Sequence, residues 1–168
     1  MSADRWDQVS EAVELLNEGD AEAAVQKLRV VVVHDPGNAD AHYWLGKALS
    51  RLNQFGAATV ALQMALRQAP SFLGAWVELA LCQRELGHLD DAIRSGTRAL
   101  ALRDDDPDAL HLLGVSHAER AAEGDFKAAV RFLERFVAQR GIAAEAKLDA
   151  EVLLKALQMK LRGDARAN

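Results

Sequence analysis

Hydrophobic residues recur along most of this chain at separations of three and four positions. Residues 57–66 illustrate the pattern, because Ala58, Ala61, Leu62 and Ala65 fall at these separations. Such spacing places side chains on one face of an α-helix, which can then pack against a neighbour. Stretches rich in Val, Ile and Thr are few. The pattern therefore predicts an all-α protein built from amphipathic helices and disfavours an all-β sandwich.

The helical segments are interrupted at regular intervals by a turn residue with an alanine five positions later. The four pairs are Gly19 with Ala24, Asn53 with Ala58, Gly87 with Ala92, and Gly124 with Ala129. Successive turn residues are separated by 34, 34 and 37 positions. Gly and Asn favour the left-handed conformation that ends a helix. Pro36 and Pro70 stop the second helix of a unit, and Asn38 or Ser71 can cap the helix that follows. The sequence thus predicts four helix-turn-helix units.

The 34-residue period and its key residues resemble the tetratricopeptide repeat family. The second unit carries Leu45-Gly46, Ala58 and Pro70, and the third carries Trp76 and Leu79-Ala80. The resemblance implies a right-handed α-solenoid that forms a single domain over residues 1–168. Its predicted parts are repeats at about residues 5–38, 39–72, 73–106 and 107–141, a capping helix at 142–162 and a frayed tail at 163–168.

Small residues recur at repeat positions 8 and 20, where we expect the two helices of a unit to cross closely. In the third unit Gly96 stands at a repeat position where the other units carry leucine, so we expect a neighbour to fill the gap or to approach closely. The three extra residues before Gly124 are interpreted as nearly one more turn of the preceding helix. The capping helix is expected to cover Leu133, Phe136 and Val137 with one apolar face, formed by Ala146, Ala150, Leu153, Leu157 and Leu161.

Residues capable of catalysis or metal binding are present, but they lack a recognisable arrangement. The five histidines contain no pair at i and i+4, and the motifs of common hydrolases, nucleotide-binding loops and zinc sites are absent. They are interpreted as scattered surface and turn residues, and Asp104-Asp105-Asp106 as a solvated loop. The only cysteine, Cys82, lies on a predicted buried face. We therefore predict no enzyme, no catalytic residue, no cofactor and no metal site.

The charge and hydropathy of the chain restrict its partners. A net charge of −5 argues against a general nucleic-acid binder, which needs basic residues to displace counterions. Charged residues in the first eleven positions argue against a signal peptide. The uncharged run 52–66 is too short and too polar to cross a bilayer. We therefore expect a cytoplasmic protein that does not insert into membranes and does not bind nucleic acid.

The resemblance implies that partners bind a concave groove lined by the first helix of each unit. The residues at its groove positions are Val9, Val13, Tyr43, Lys47, Arg51, Val77, Leu81, Arg84, His111 and Val115. Most of them are apolar or aromatic, which is typical of a partner-binding surface. Some could instead be buried between adjacent helices. Arg51 and Arg84 flank the apolar stripe and could meet a carboxylate or a backbone carbonyl.

These residues predict a protein-protein interaction adaptor that binds a partner polypeptide segment in the apolar groove. Heat-shock co-chaperones of the family hold a C-terminal carboxylate with Lys and Asn at positions that are Val9 and Val13 here, so that clamp is absent. The alternative is a client-binding chaperone resembling the translocator chaperones of type III secretion. These usually have a longer N-terminal extension, whereas the first repeat here starts by Arg5. Exposed Trp6 or Phe72 could equally serve self-association.

Overall fold

The computed structural model describes the backbone of residues 3–167 and the side chains of residues 9–164. This part of the chain contains nine α-helices and no strand, which confirms the predicted all-α fold class. The helices are α1 (Ala3–Glu18), α2 (Ala21–His34), α3 (Ala39–Arg51), α4 (Phe55–Gln68), α5 (Leu73–Glu85), α6 (Leu89–Leu102), α7 (Pro107–Arg120), α8 (Asp125–Val137) and α9 (Ala144–Ala167). The predicted Trp6 surface lies outside the described side chains.

The chain divides into two compact units, residues 1–87 with α1 to α5 and residues 88–168 with α6 to α9. In the first unit α3 packs against α1, α2, α4 and α5. Leucine, valine and alanine side chains from all five helices form its core. In the second unit α7 packs between α6 and α8, and α9 packs on α8. The single domain expected from the sequence stays a prediction.

All four predicted turn residues have positive φ, from 58° at Asn53 to 91° at Gly19. The prediction that the three inserted residues of the fourth repeat add nearly one turn to the preceding helix is wrong. Helix α7 has 14 residues, against 13 in α3 and α5, so the inserted residues mainly lengthen the connection. The helix ends because Ala121 adopts the left-handed conformation, with φ 52°.

Side-chain caps determine where several helices begin. The Asn38 carboxamide accepts a hydrogen bond of 3.0 Å from the backbone N–H of Ala41, which confirms the predicted cap of α3. Ser71 does not cap α5, because that helix begins at Leu73 and Phe72 occupies the cap position. Asp106 is buried and caps α7, so the solvated-loop prediction is wrong for this residue. A free helix N–H needs an acceptor, and the Asp106 carboxylate supplies it.

Glycines allow the close helix crossings that the repeat pattern predicts. A Cβ atom on Gly46 would lie 2.5 Å from Cγ of Leu62, and one on Gly114 would lie 2.6 Å from Cγ of Leu133. A Cβ on Gly96 would lie 3.0 Å from the Leu113 side chain, which confirms the expected close approach. These contacts set the separation of the paired helices.

Helix α9 begins at Ala144 instead of residue 142 and continues to Ala167. The frayed tail therefore does not start at residue 163, because Gly163 does not adopt the left-handed conformation that would end the helix. The predicted cap packing is confirmed for Ala146, Ala150, Leu153 and Leu157, which lie in one cluster with α8. Leu161 is not part of that cluster and is half-buried. Among the described residues, no helix has the length and apolar character needed to cross a membrane.

Candidate functional site

The groove residues predicted from the sequence are divided between the two units. Those on α1, α3 and α5 belong to the first unit, whereas His111 and Val115 lie on α7 in the second. Because α3 packs against both α1 and α5, the three helices of the first unit form one continuous layer. We name it the α1–α3–α5 layer. It contains the larger candidate surface.

Burial separates the accessible members of this layer from the core. Val9 is fully buried within the core of the first unit, so its prediction as a groove contact is wrong. The reason is that α1 packs against both α2 and α3, which together cover that position. Val13, Val77 and Leu81 are half-buried and remain accessible to a partner. Burial of their partly exposed apolar surface by a partner lowers the free energy and so favours binding.

An aromatic cluster formed by Tyr43, Trp44 and Phe72 lies in the first unit. The Tyr43 ring is 5.2 Å from Trp44 in an edge-to-face arrangement and 4.6 Å from Phe72, measured between centroids. The Lys47 ammonium lies over both neighbouring rings, 5.8 Å from the Tyr43 centroid and 5.3 Å from that of Trp44. Such cation–π contacts hold the lysine beside an apolar surface. All four side chains are half-buried, so part of each remains accessible to a partner.

Sequence reasoning did not include Trp44 and Phe72 in the groove. The available signal was the Tyr43-Trp44 pair at the start of a predicted helix. Beside this cluster is an open cavity of about 280 Å³, lined by Ala39, Asp40, Ala69, Ser71 and Phe72. Phe72 is thus half-buried against Tyr43 and also borders a cavity able to admit a small side chain.

Both flanking arginines contact groups of their own chain. An Arg51 N–H donates to the backbone carbonyl of Leu16 near the end of α1. Carbonyl oxygens at a helix C-terminus lack hydrogen-bond partners within the helix. The bond from Arg51 supplies one and stabilises the packing of α3 against α1. Arg84 pairs with the carboxylate of its neighbour Glu85. Each of the two arginines therefore already has a hydrogen-bond partner within the chain.

The second unit contains a charged network around the buried Asp125, at the turn between α7 and α8. Asp125 accepts hydrogen bonds from Arg120 at 2.8 and 2.6 Å and from the Ala122 N–H at 2.8 Å, and His117 Nδ1 lies 2.7 Å from its carboxylate. The pKa of Asp125 lies well below its usual range, mainly because Arg120 donates hydrogen bonds to its carboxylate. Arg120 also bonds to Asp90 at 2.7 Å. The network fixes the turn.

The prediction that the histidines are scattered surface and turn residues is wrong for His42 and His117. His42 is buried, and its Nε2 lies 2.9 Å from the Pro36 carbonyl oxygen. His117 joins the network described above and stacks on Phe132 with a centroid separation of 5.7 Å. Linear spacing could not reveal either partner, because neither is a neighbour at i+3 or i+4. The adjacent hydroxyl of Ser116 is fully buried, away from solvent.

The thiol of Cys82 is buried as predicted, and burial raises its pKa to about 11. A thiol with so high a pKa is a poor nucleophile at neutral pH. Within the residues that the structure describes, no three His, Cys, Asp or Glu side chains are grouped so that they could hold a metal ion.

His111, a predicted groove residue of the second unit, packs near Phe136, with ring centroids 4.9 Å apart.

Comparison with known proteins places these features in a family context. Tetratricopeptide repeat families match residues 15–71 and residues 47–107. The PEX5-related protein of Homo sapiens is 34% identical over 82 residues, which are 49% of this chain and 13% of that protein. The chain therefore spans only a small part of the length of this curated relative.

Solved structures share the fold at low sequence identity. MamA has a TM-score of 0.73 and 19% identity, over 92% of this chain and 96% of its own. The first repeat domain of Spaghetti (RPAP3), bound to the HSP90 peptide SRMEEVD, has a TM-score of 0.68 and 19% identity, over 73% of this chain and 97% of its own. These similarities confirm the helical repeat fold class.

Proposed function

Because this chain belongs to the tetratricopeptide repeat family, we propose that it is a non-catalytic adaptor that binds a partner polypeptide on its α1–α3–α5 layer. Repeats of this family generally mediate protein-protein interaction. The observation that carries the proposal is the set of partly exposed apolar residues, Val13, Val77 and Leu81, on the same layer as Tyr43.

The chemistry of the layer favours an apolar ligand segment. Aliphatic side chains and the aromatic cluster supply the contact area, and the cavity beside Phe72 can receive a small side chain. Lys47 adds one positive charge held against two aromatic rings. Tyrosine and tryptophan are enriched among the residues that dominate binding energy at interfaces.

The ligand we propose differs from that of the Spaghetti domain, whose peptide SRMEEVD has three acidic residues among its last four. Arg51 and Arg84 are bonded to their own chain, which disfavours a carboxylate clamp on this layer. Val9 is buried and Val13 is apolar, at positions where co-chaperones of the family carry Lys and Asn. We infer that apolar burial supplies most of the affinity.

A substitution at Leu81 tests the proposal. Leu81→Asp should reduce partner binding by at least tenfold and leave the helix content unchanged, because a charge enters an apolar contact without entering the core. Partners are first captured from native lysate by the wild-type chain and identified, and the dissociation constant of a purified partner is then measured. Helix content is followed by circular dichroism.

Val60→Asp is the matched control, since Val60 is 62% exposed and lies on α4, outside the proposed layer. It should bind the partner like the wild-type chain. Equal affinity of the Leu81→Asp and Val60→Asp variants would refute the proposed surface. If the Leu81→Asp variant is folded and its affinity for the partner falls steeply as the salt concentration rises, Lys47 and not the apolar residues dominates binding.

The client-binding chaperone is the alternative use of the same apolar layer. It predicts that the partner becomes insoluble or is degraded in cells that lack this protein, whereas an adaptor leaves its partner stable. Measuring partner abundance with and without the chain separates these two functions once the partner is identified.

A further inference from the structure

Helix α9 has an apolar face on each side. Its inner face packs on α8 through Ala150 and Leu157. Its outer face carries Leu148, Val152 and Met159, which are 60%, 63% and 67% exposed. Separations of four and seven residues put these three side chains in one row along the helix. We name them the outer stripe. A helix that only caps a repeat array needs a polar outer face, so capping does not account for this stripe.

The repeat register indicates that the outer stripe is not the surface on which a further repeat helix would pack. Ala150 follows the register of Leu113, and Glu151 follows that of Gly114, with the three-residue insertion taken into account. Gly114 is the residue that lies against the next helix, α8. In α9 that position is a charged, exposed glutamate. The outer stripe therefore lies apart from the contact that would continue the array.

We propose that the outer stripe binds the outer stripe of a second copy of this chain, with the two α9 helices antiparallel about a two-fold axis. An isologous interface brings each residue of one copy to a reciprocal position on the other. With the axis midway along the stripe, Leu148 faces Met159 of the second copy. Val152 then faces the aliphatic part of Lys155 of the second copy.

The charges beside the stripe support this orientation. Glu151 and Lys155 are exposed and lie at its centre, separated by one helical turn. In the antiparallel arrangement Lys155 of each copy lies beside Glu151 of the other, which gives two reciprocal pairs of opposite charge. In a parallel arrangement equal positions would meet, and like charges would repel. The sequence of the stripe is therefore self-complementary only when the helices are antiparallel.

The size of the stripe sets the expected strength. From Leu148 to Met159 the helix advances about 16 Å, or three turns. Such a contact falls at or below the lower end of specific interfaces, about 1,200 Å² of total buried surface. We therefore expect a weak, concentration-dependent dimer, with a dissociation constant of about 10–500 µM.

Sedimentation velocity of the full chain tests the proposal. From about 5 µM to about 1 mM, the wild-type mass should rise from 18.3 kDa toward twice that value, as expected around the stated dissociation constant. Leu148→Asp should weaken association by at least tenfold, because it puts a charge opposite Met159 of the second copy in the apolar contact. Val60→Asp is the control, because Val60 is 62% exposed against 60% for Leu148. It should dimerise like the wild type, as should the Leu81→Asp variant.

Charge exchange and cross-linking test the orientation. Glu151→Lys and Lys155→Glu should each weaken the dimer, and the double variant should restore it. Disulfides should form when Leu148→Cys and Met159→Cys variants are mixed, and much less when either is alone. A chain that stays monomeric up to about 1 mM overturns the proposal, whatever else binds the stripe. Association that Leu148→Asp leaves intact overturns the proposal as well, and so does efficient cross-linking of either cysteine variant alone.

Discussion

Replacing Gly46 by alanine would place a methyl group in the space already occupied by Leu62. The added Cβ would lie 2.5 Å from Cγ and 2.8 Å from Cδ2 of that leucine. Leu62 is fully buried, so it cannot swing into solvent to make room. Overpacking of a core typically costs about 1–3 kcal/mol. Alanine recovers about 1 kcal/mol of helix propensity over glycine. We therefore expect a net loss of about 1 kcal/mol in the free energy of unfolding.

Gly56 provides the matched comparison in the same unit. It lies in α4, and a Cβ there would meet no atom within 4 Å. Gly56→Ala should therefore stabilise the protein by about 0.5 kcal/mol through helix propensity alone. Urea titrations followed by circular dichroism measure both variants. Their midpoints should shift in opposite directions from that of the wild-type chain.

A double-mutant cycle identifies the cause of the loss. In a Leu62→Ala background the contact is removed, so Gly46→Ala should become neutral or stabilising. The coupling free energy between the two sites should be about 1–2 kcal/mol, within the range for residues in contact. If Gly46→Ala stabilises the wild-type chain as much as Gly56→Ala does, the close crossing of α3 and α4 is not limiting and the reasoning is refuted.

Two further predictions concern the second unit. Truncation after Gly141 removes Leu157 and the half-buried Leu153 and should cost about 3–6 kcal/mol, an upper figure, with aggregation in size-exclusion chromatography. Truncation after Arg162 should change little, and a monomeric 1–141 fragment with unchanged Tm would contradict this role of α9. Asp125→Asn should destabilise the protein by about 1.5–3 kcal/mol at pH 7, because it weakens the charge-assisted hydrogen bonds between the buried Asp125 and the half-buried Arg120. Since the folded pKa of Asp125 is lowered, its stabilisation is present above about pH 4 and is lost as the pH falls further, so urea midpoints of variant and wild type should converge in acid.

The sequence by itself determined the helices, their turns and their repetition. Gly19 and Asn53 mark helix ends because few other residues tolerate positive φ, a property of the local backbone. Gly46 indicates a close crossing because its repeat position is small in every unit. Spacing also determined which residues share a face, as on the inner side of α9. These features depend on short-range geometry that a linear pattern records.

Only the tertiary structure decided which faces are covered and which groups meet across long separations. Val9 matched the groove pattern but is buried, because helix packing and not periodicity sets exposure. Arg51 bonds to Leu16, 35 residues earlier, since a long flexible side chain can reach any acceptor that the fold brings near. The outer stripe of α9 resembled ordinary helical apolar positions in the sequence. Its exposure follows from α8 covering one side of the helix, which is a property of the packed unit.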